Sequence, residues 1–315
     1  MTKIFIDGEV GTTGLQIVER LKGRKEFNLL HLEEEKRKDL SARSEMLNSA
    51  DVCILCLPED ASREAADLIQ NDKTRVIDAS IAFRTDSGWD YGFAEYASSQ
   101  GSIIAKSKRV SNPGCYACAS ISIIHPLISA GVLPSNFPVT INAVSGYSGG
   151  GKNLISEFED KNSNQYEKSA FYLYSLGLSH KHVPEIQKWS GLDFAPLFLP
   201  SVGCFSQGML VSVPLQLHQL ENKVTSNEIQ GALEKHYLGQ PFVRVQELSR
   251  MSEIERLNPE DLNGSNMLNI YVFANDASEQ VVVCAQLDNL GKGASGQAVQ
   301  NLNLMLGLEP TTGLL

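Results

Sequence analysis

The chain has 315 residues, which is long enough for two domains with a substantial core. Hydrophobic residues make up 42% of it and charged residues 20%, a balance typical of globular proteins and not of disordered chains. The formal net charge of −10 argues against a nucleic-acid or anionic-membrane surface. We therefore expect no nucleic acid and no membrane as partner, and we expect any anionic substrate to be held by local positive groups.

The cysteines leave two interpretations open. The pairs Cys53/Cys56 and Cys115/Cys118 each have CxxC spacing, which raises a zinc site as an alternative. Zinc pairs usually lie in turn-rich loops, whereas these pairs fall in a predicted strand and a predicted helix, so we expect no metal. Met1 is followed at once by a predicted strand, with no leader and no long apolar span. We therefore expect a cytoplasmic protein in a reducing compartment.

The chain starts with a pattern typical of nucleotide-binding folds. A predicted strand over residues 3–7 leads into a glycine-rich turn and then a helical pattern from Leu15 to Leu21. This arrangement directs helix N–H groups at a pyrophosphate, although a glycine triplet can also close a turn with no ligand nearby. The position and context favour a nucleotide site. The candidate cofactor contacts in this turn are Gly8, Gly11, Thr12, Thr13 and Gly14.

A charged segment follows the second predicted strand, which covers residues 27–32. An acidic residue such as Glu33 suits the ribose hydroxyl of NAD, whereas basic residues such as Arg37 suit the 2′-phosphate of NADP. For most of residues 33–39 a solvated charged turn is the alternative.

Strands and helices continue to alternate up to Ser80. Apolar strands are predicted over residues 51–58 and 75–80, with a helix over 61–70 between them. This alternation predicts a doubly wound parallel sheet. Because ligands bind at the carboxyl ends of such strands, Ser80 and Arg84 would lie on the functional side. Arg84 could bind a phosphate, or could form a surface salt bridge.

A second motif places a thiol at the start of a helix. The turn Asn112-Pro113-Gly114 precedes Cys115, and small and apolar residues then continue to Ile124. The helix dipole and the unpaired N–H groups of a first turn favour thiolate over thiol. Cys115 could therefore be a nucleophile, or a small core residue, and its immediate neighbours do not decide between the two.

The second half of the chain predicts a different architecture. A strand over residues 139–144 ends in a glycine run that contains Ser148 and Gly149, which could wrap a ligand or form a flexible loop. Further strands are predicted over 195–199, 208–217, 269–274 and 280–287. No helix alternates regularly with them, so we expect a mixed or antiparallel sheet in a second domain, with an open face suited to dimerisation.

Two more segments carry candidate functional groups. His180, His182 and Glu185 lie within six residues, which favours acid–base chemistry over a metal site because no third ligand is evident. The segment from Gly291 opens a final helix and includes Lys292 and Gly293.

Together these motifs resemble the N-acetyl-γ-glutamyl-phosphate reductase family, within the aspartate-semialdehyde-dehydrogenase superfamily. The resemblance covers essentially the whole chain and is most specific at the Asn-Pro-Gly-Cys-Tyr and His-x-His-x-Pro-Glu motifs. It is carried by the glycines at 8, 11 and 14 and by residues 78–84, 91–95, 111–116, 145–149, 180–185 and 292–301.

The resemblance implies an α/β fold: a Rossmann-like doubly wound parallel sheet plus a second α+β domain with a mixed or antiparallel sheet. Residues 1–114 and 290–315 would form the NADP-binding domain, and residues 115–289 the catalytic and dimerisation domain. It further implies NADP(H) as cofactor, a small-molecule acyl phosphate as substrate, and a homo-oligomer, either a dimer or a tetramer.

The resemblance also assigns roles to single residues. Cys115 would attack the acyl phosphate to form a thioester, which hydride would reduce to the aldehyde. His182 or His180 would carry the proton, and Glu185 would orient the imidazole. The substrate phosphate would be held by Arg84 and Asn112. The remaining candidate cofactor contacts are Ser80, Ser148, Gly149, Lys292 and Gly293.

Two alternatives remain at this stage. The first is the same reaction on another acyl phosphate, of the aspartyl or aminoadipyl type. The second is a nucleotide-sensing protein without catalysis, which would keep the glycine turn but would not need the thiol, the histidines and the carboxylate.

Overall fold

The computed structural model describes residues 1–220, 222–248 and 253–314. The chain forms two compact units. The first contains residues 1–94, 98–114 and 294–315, and the second contains residues 95–97 and 115–293. These limits differ from the predicted domains in two places. The chain re-enters the first unit at residue 294 instead of 290, and residues 95–97 belong to the second unit.

The first unit contains a six-stranded sheet in the order β2-β1-β3-β4-β6-β5, in which all neighbours are parallel. Its strands are β1 Thr2–Asp7, β2 Phe27–Leu30, β3 Val52–Leu55, β4 Arg75–Asp78, β5 Asp90–Tyr91 and β6 Arg109–Ser111. This confirms the predicted Rossmann-like sheet. The strand order reverses between β1 and β3, and in such sheets the crevice at this reversal is where ligands bind. The glycine turn begins there, directly after β1.

The helices of this unit all contain buried residues. They are α1 Thr12–Leu21, α2 Leu40–Ser49, α3 Glu59–Asp67, α4 Gln100–Lys106 and the C-terminal helix α9 Gly296–Met305. In α1 the buried stripe includes Ile17 and Leu21, four residues apart on one face. Every residue of β3 is buried, as expected of a central strand. The helix that we predicted over residues 61–70 begins and ends two to three residues earlier.

The second unit contains a seven-stranded sheet in the order β11-β12-β13-β10-β7-β9-β8. The strands are β7 Thr140–Gly146, β8 Phe171–Leu173, β9 Leu197–Gly203, β10 Met209–Gln216, β11 Val243–Val245, β12 Leu268–Asn275 and β13 Gln280–Leu287. The pairs β7/β9 and β11/β12 are parallel and the others antiparallel, which confirms a mixed sheet. Our prediction missed β8 and β11, whose three residues are too short for a periodic signal.

The helices of this unit are α5 Cys115–Ser129, α6 Gly151–Glu159, α7 Val183–Ser190 and α8 Ser226–Tyr237. All residues of α5 from Tyr116 to Ile124 are buried. The helix packs against β10, β13, α7 and α8, so it is the central helix of the unit. It extends five residues beyond the predicted end at Ile124. Its first residue, Cys115, is only half-buried.

Two glycine-containing segments form helical turns. The run after β7 is neither an open loop nor extended, because Tyr147–Gly150 form a 3₁₀ helix and α6 follows directly. The segment Gly291–Ser295 forms a π-helix before α9. Such π-turns are rare and occur frequently at functional sites.

The described part of the chain contains no helix that is both long and apolar enough to cross a bilayer. Among the same residues, no group of three or more His, Cys, Asp or Glu side chains is arranged to hold a metal ion.

Candidate active site

The glycine turn after β1 can be formed only by glycine at two positions. Gly8 has φ +88°, and a Cβ there would collide with the carbonyl of Cys56 at the end of β3. A Cβ on Gly14 would collide with the Gly8 carbonyl and would lie 2.8 Å from Glu9 Cα. The glycines therefore let the turn, helix α1 and strand β3 approach one another closely.

The start of α1 is suited to an anion. Gly11 is the N-cap residue, no side chain caps the helix, and its first turn contains no acidic residue. The first N–H groups of a helix are not used inside the helix, and the helix dipole favours negative charge near them. Thr12, Thr13 and Gly14 form this first turn. The residues present thus fit a dinucleotide pyrophosphate.

The charged segment after β2 is organised around Glu9. The Glu9 carboxylate contacts His31 Nδ1 at 2.7 Å and Arg37 Nη2 at 3.6 Å. Arg37 and Lys38 line a cleft of about 440 Å³ beside the end of β1. Glu33 instead pairs with Lys36 at the surface. Two basic side chains at this position suit a phosphate on the adenosine ribose.

A buried ion pair that sequence reasoning missed lies beneath the same cleft. Arg43 Nη2 contacts Asp7 Oδ2 at 2.9 Å, and Arg43 Nη1 contacts Glu64 at 2.9 Å. Burial raises the pKa of Asp7, while the Arg43 guanidinium opposes that shift. Asp7 ends β1 directly before Gly8, so this pair anchors the start of the glycine turn.

Ser80 lies just after the carboxyl end of β4, where its hydroxyl forms hydrogen bonds with neighbouring protein groups. Its hydroxyl donates to Asp78 Oδ2 at 2.8 Å and accepts from the Ala82 N–H at 3.0 Å. Ser62 donates to the other Asp78 oxygen at 2.6 Å. Burial raises the pKa of Asp78, and these hydrogen bonds oppose the rise. A cofactor contact by Ser80 stays a prediction.

Arg84 is buried and is not the surface salt bridge that the sequence left open. Its Nε donates to the Asn112 carbonyl at 2.9 Å and its Nη2 to the Ala79 carbonyl at 3.1 Å. The Asn112 amide donates to the Ala294 carbonyl at 3.0 Å and accepts from Asn301 at 3.0 Å. These bonds fix the turn that leads to residue 114. Phosphate binding by Arg84 and Asn112 stays a prediction.

Cys115 is the first residue of α5 and is closely approached by the π-helix. A Cβ on Gly293 would lie only 2.7 Å from the Cys115 Cβ, so no larger residue fits there unless the two segments move apart. The Gly293 N–H donates to the Asp288 carbonyl at 2.9 Å. We had predicted Gly293 as a cofactor contact. In the structure, the side-chain position at Gly293 lies nearest to Cys115, the candidate nucleophile.

His180 and His182 lie together, but their environments differ. The His182 N–H donates to His180 Nδ1 at 3.1 Å, and His180 Nε2 lies 3.3 Å from the Tyr174 hydroxyl. Burial lowers the pKa of His180 to about 4, and the charge of Lys181 lowers it too. His180 is therefore neutral at pH 7, with both ring nitrogens in hydrogen bonds. Sequence reasoning missed Tyr174, which lies in no recognisable motif.

The aromatic ring of Tyr116 links the nucleophile helix to this histidine pair. It lies edge-on to His180 and His182, with ring centroids 5.8 and 6.0 Å away. The Tyr116 hydroxyl donates to the Ser201 carbonyl at 2.9 Å. The pKa of Tyr174 is raised to about 12, mainly by burial; a hydrogen bond with Tyr116 opposes the rise and a negative charge on Cys115 adds to it. Cys115 thus shares one region with both histidines.

Glu185 and Cys118 complete this region. Glu185 lies in the first turn of α7, three residues after His182, and is almost fully buried. Burial raises the pKa of Cys118 to about 12; Lys292 lowers it, and Glu95, Glu185 and Cys115 raise it. Cys118 is thus a thiol at neutral pH and does not compete as a nucleophile.

Ser148 and Lys292 have internal partners. The Ser148 hydroxyl accepts from Asn289 Nδ2 at 3.0 Å, while Gly149 is exposed. Lys292 is fully buried and pairs with Glu95. Glu95 lies in the segment 91–95 that carries the family resemblance, but the sequence did not predict a role for it. The Lys292 ammonium is therefore not a surface charge. A cofactor contact by Lys292 stays a prediction.

Two family models match the chain and together cover most of it. The semialdehyde dehydrogenase NAD binding domain matches residues 3–102, and the semialdehyde dehydrogenase dimerisation domain matches residues 115–289.

Curated relatives match over nearly their whole length. A protein of Trichormus variabilis is 49% identical over 318 residues, covering 99% of each chain, and one of a Chelativorans species is 52% identical, covering 96% of this chain and 98% of its own. Both are named N-acetyl-gamma-glutamyl-phosphate reductase. The chain belongs to the N-acetyl-gamma-glutamyl-phosphate reductase family. This confirms the resemblance that the motifs predicted.

Solved structures with low sequence identity share the fold of this N-acetyl-gamma-glutamyl-phosphate reductase family member. An aspartate semialdehyde dehydrogenase II of Vibrio cholerae matches with a TM-score of 0.70 at 15% identity, covering 98% of each chain. An aspartate semialdehyde dehydrogenase of Candida albicans, solved with NADP, matches with a TM-score of 0.67 at 11% identity, covering 98% of this chain and 99% of its own.

Proposed function

We propose that the chain reduces N-acetyl-γ-glutamyl phosphate to N-acetyl-glutamate semialdehyde and phosphate, with NADPH as the reductant, as a step of arginine biosynthesis. The observation that carries the proposal is the position of Cys115. It is a half-buried thiol at the first residue of a buried helix, in the same region as His182 and Glu185. The names of the relatives support the choice of N-acetyl-γ-glutamyl phosphate over aspartyl or aminoadipyl phosphates.

The first chemical step belongs to Cys115. Its thiolate attacks the acyl carbon, the bond from that carbon to the phosphate oxygen breaks, and phosphate leaves with the electron pair. The start of α5 favours the thiolate through the helix dipole. The N–H groups of its first turn also stabilise the negative oxygen of the tetrahedral intermediate. The product is a thioester on Cys115.

The second step completes the reduction. The hydride that reduces the thioester carbon would come from the nicotinamide of bound NADPH. His182 donates a proton to the carbonyl oxygen, which gives a hemithioacetal on Cys115. When this collapses, the carbon–sulfur bond breaks, the oxygen returns its proton to His182, and the aldehyde leaves. We assign the proton to His182 because His180 is neutral and bonded at both nitrogens.

We assign Glu185 as the carboxylate that orients His182. It is almost fully buried on the same helical turn as His182, and a carboxylate beside an imidazole stabilises its protonated form. Arg84 supplies positive charge at the turn before Cys115, and we keep it as the ligand of the substrate phosphate. Asn112 supports that turn through Ala294 and Asn301.

NADP(H) is the proposed cofactor. The glycine turn and the start of α1 would hold its pyrophosphate, and Arg37 and Lys38 would hold the 2′-phosphate. The matching family model is described as an NAD binding domain, so preference for the phosphorylated cofactor is part of the proposal.

We also propose a homo-oligomer, a dimer or a tetramer, in the cytoplasm. The second unit matches a family model described as a dimerisation domain. The edge strand β8 and the loop after it expose apolar side chains: Phe171, Leu173, Leu176 and Leu178. A monomer in analytical ultracentrifugation at micromolar concentration would contradict an oligomer. In the described part of the chain no cysteine forms a disulfide bond, which suits a reducing compartment.

The proposal is tested with Cys115→Ser and a matched variant, Cys118→Ser. We expect Cys115→Ser to lose at least about 10³-fold in turnover with N-acetyl-γ-glutamyl phosphate, because a hydroxyl of ordinary pKa replaces the thiolate. NADPH affinity should remain within about twofold, because the glycine turn belongs to another unit. Mass spectrometry after mixing wild type with acyl phosphate alone should show an adduct on Cys115. Near-normal turnover of Cys115→Ser would refute the role.

A further inference from the structure

The second unit buries an ion pair that the proposed chemistry does not use. Lys292 Nζ lies 2.9 and 2.8 Å from the two carboxylate oxygens of Glu95, and both side chains are fully buried. The two residues are 197 positions apart in sequence. The Lys292 ammonium also lies 5.4 Å from the ring centroid of Phe242, itself fully buried.

Stability alone is a poor reason to bury such a pair. Removing two charges from water is costly, and well-packed apolar residues of the same volume often stabilise a fold as well or better. A bidentate pair fixes the position of the lysine, because both carboxylate oxygens bind the same ammonium. It therefore also restricts the backbone of the next residue, Gly293.

Gly293 lies against the nucleophile. A Cβ on Gly293 would be 2.7 Å from the Cβ of Cys115, and 3.2 Å from both the Asp288 carbonyl and the Leu287 side chain. The segment is a π-helix, a rare type of turn that occurs frequently at functional sites. Asp288 anchors one end through bonds from the N–H groups of Leu290 and Gly264. Lys292 anchors the middle.

The pair also lies close to the nucleophile helix. The charges of Lys292 and Glu95 act in opposite directions on the thiol of Cys118, one turn after Cys115. Because the two charges balance, the pair can hold the backbone in place without adding a net charge near the sulfur of Cys115.

We propose that Glu95 and Lys292 are positioning residues: they hold the Gly293 backbone against Cys115 and thereby fix the direction of its thiol. Loss of either charge releases Gly293, and the sulfur then samples orientations that do not reach the acyl carbon. The inference rests on the proposed role of Cys115 as nucleophile. It adds two residues to the reaction that need not touch substrate or cofactor.

The test uses three variants of the full chain. Lys292→Met with Glu95→Gln, made together, removes both charges at nearly constant volume. Glu95→Asp keeps both charges but shortens the carboxylate by one methylene. Gly293→Ala keeps the pair but adds a methyl group against Cys115. Gly231→Ala is the control, because a Cβ on this exposed glycine of α8 meets nothing within 4 Å.

Each variant is measured as kcat and KM per titrated active site, and as the rate of Cys115 alkylation by iodoacetamide. We expect kcat to fall roughly 10- to 100-fold in the double variant and in Gly293→Ala, and less in Glu95→Asp, because small misplacements of a reacting group have effects of this size. KM should change less than about twofold. The alkylation rate should change in the same variants, and Gly231→Ala should match wild type.

A purely structural pair would give a different result. The double variant and Glu95→Asp would then lower the melting temperature but keep wild-type kcat and alkylation rates per folded site, which would overturn the proposal. If the double variant does not fold, Glu95→Asp decides by the same criteria. The alkylation rate does not depend on the substrate, so it separates failure of this proposal from failure of the proposed reaction.

Discussion

The backbone N–H of His182 donates to Nδ1 of His180 at 3.1 Å. Because Nδ1 accepts this bond, neutral His180 carries its proton on Nε2, which faces the Tyr174 hydroxyl at 3.3 Å. The pKa of His180 is lowered by burial to about 4, so the ring stays neutral in the working range. His180 therefore holds the start of helix α7, and with it the backbone of His182.

The two histidines should respond differently to the same substitution. We expect His182→Asn to lower kcat by about 10²- to 10⁴-fold, the usual size of a general acid–base contribution. His180→Asn should cost roughly tenfold, because it disturbs the position of His182 but removes no proton carrier. Steady-state kinetics of both variants checks this. The loss of kcat in Tyr174→Phe should be similar to that in His180→Asn. An equal or larger loss in His180→Asn would reverse the assignment.

The lowered pKa of His180 also predicts how stability depends on pH. The unfolded chain binds a proton at this histidine near pH 6.5, whereas the folded chain does so only near pH 4. Between these values the unfolded state binds more protons, so stability falls as pH decreases from 6.5 toward 4. His125 has a similarly low pKa, about 4, through burial and the charge of His236, and contributes with the same sign.

Thermal unfolding at pH 7.5, 6.0 and 5.0 checks this expectation. Between pH 7.5 and 5.0 the melting temperature of His180→Asn should fall less than that of wild type, because one of the histidines that cause the pH dependence is absent. His218→Asn, at an exposed histidine, is the control and should keep the wild-type slope. A slope for His180→Asn as steep as that of wild type would contradict a neutral, buried His180.

The glycine turn offers a matched pair of substitutions. Gly8 and Gly23 both have positive φ, +88° and +78°. A Cβ on Gly8 collides with the Cys56 carbonyl, whereas a Cβ on Gly23 meets nothing within 4 Å. Gly23→Ala should therefore cost only the backbone strain, about 1–2 kcal/mol of unfolding free energy, and keep NADPH binding. Gly8→Ala should weaken NADPH binding at least about tenfold, measured by fluorescence titration. Equal cofactor affinity in the two variants would show that the turn does not hold the cofactor.

The basic residues after β2 should determine cofactor preference. We expect wild type to use NADPH more efficiently than NADH. Arg37→Gln with Lys38→Gln should lower kcat/KM for NADPH by about tenfold or more and change NADH by less than about threefold, since only NADPH carries the 2′-phosphate. Lys36→Gln is the control, because Lys36 pairs with Glu33 at the surface. Wild-type efficiency equal to or higher with NADH would show that this segment was misinterpreted.

The amino-acid sequence was sufficient to predict the main architecture of both units. Apolar strands alternating with helices predict a parallel sheet, because each apolar face must be buried, and all neighbouring strands in the sheet of the first unit are parallel. Local motifs also brought Cys115, His182 and Glu185 into the candidate site. Each of these signals is contained within a few residues, which is why a single sequence can carry it. Segments of three residues, such as β8 and β11, are too short for that.

Contacts between segments that are far apart in sequence became visible in the folded chain alone. The ion pair of Glu95 with Lys292 and the approach of Gly293 to Cys115 each join residues whose proximity no local pattern encodes. The environments of the two histidines differ because burial and hydrogen bonds differ, and both are properties of the packed chain. The same holds for Lys292, which the sequence presents as a cation for a ligand and which folding pairs with a buried carboxylate.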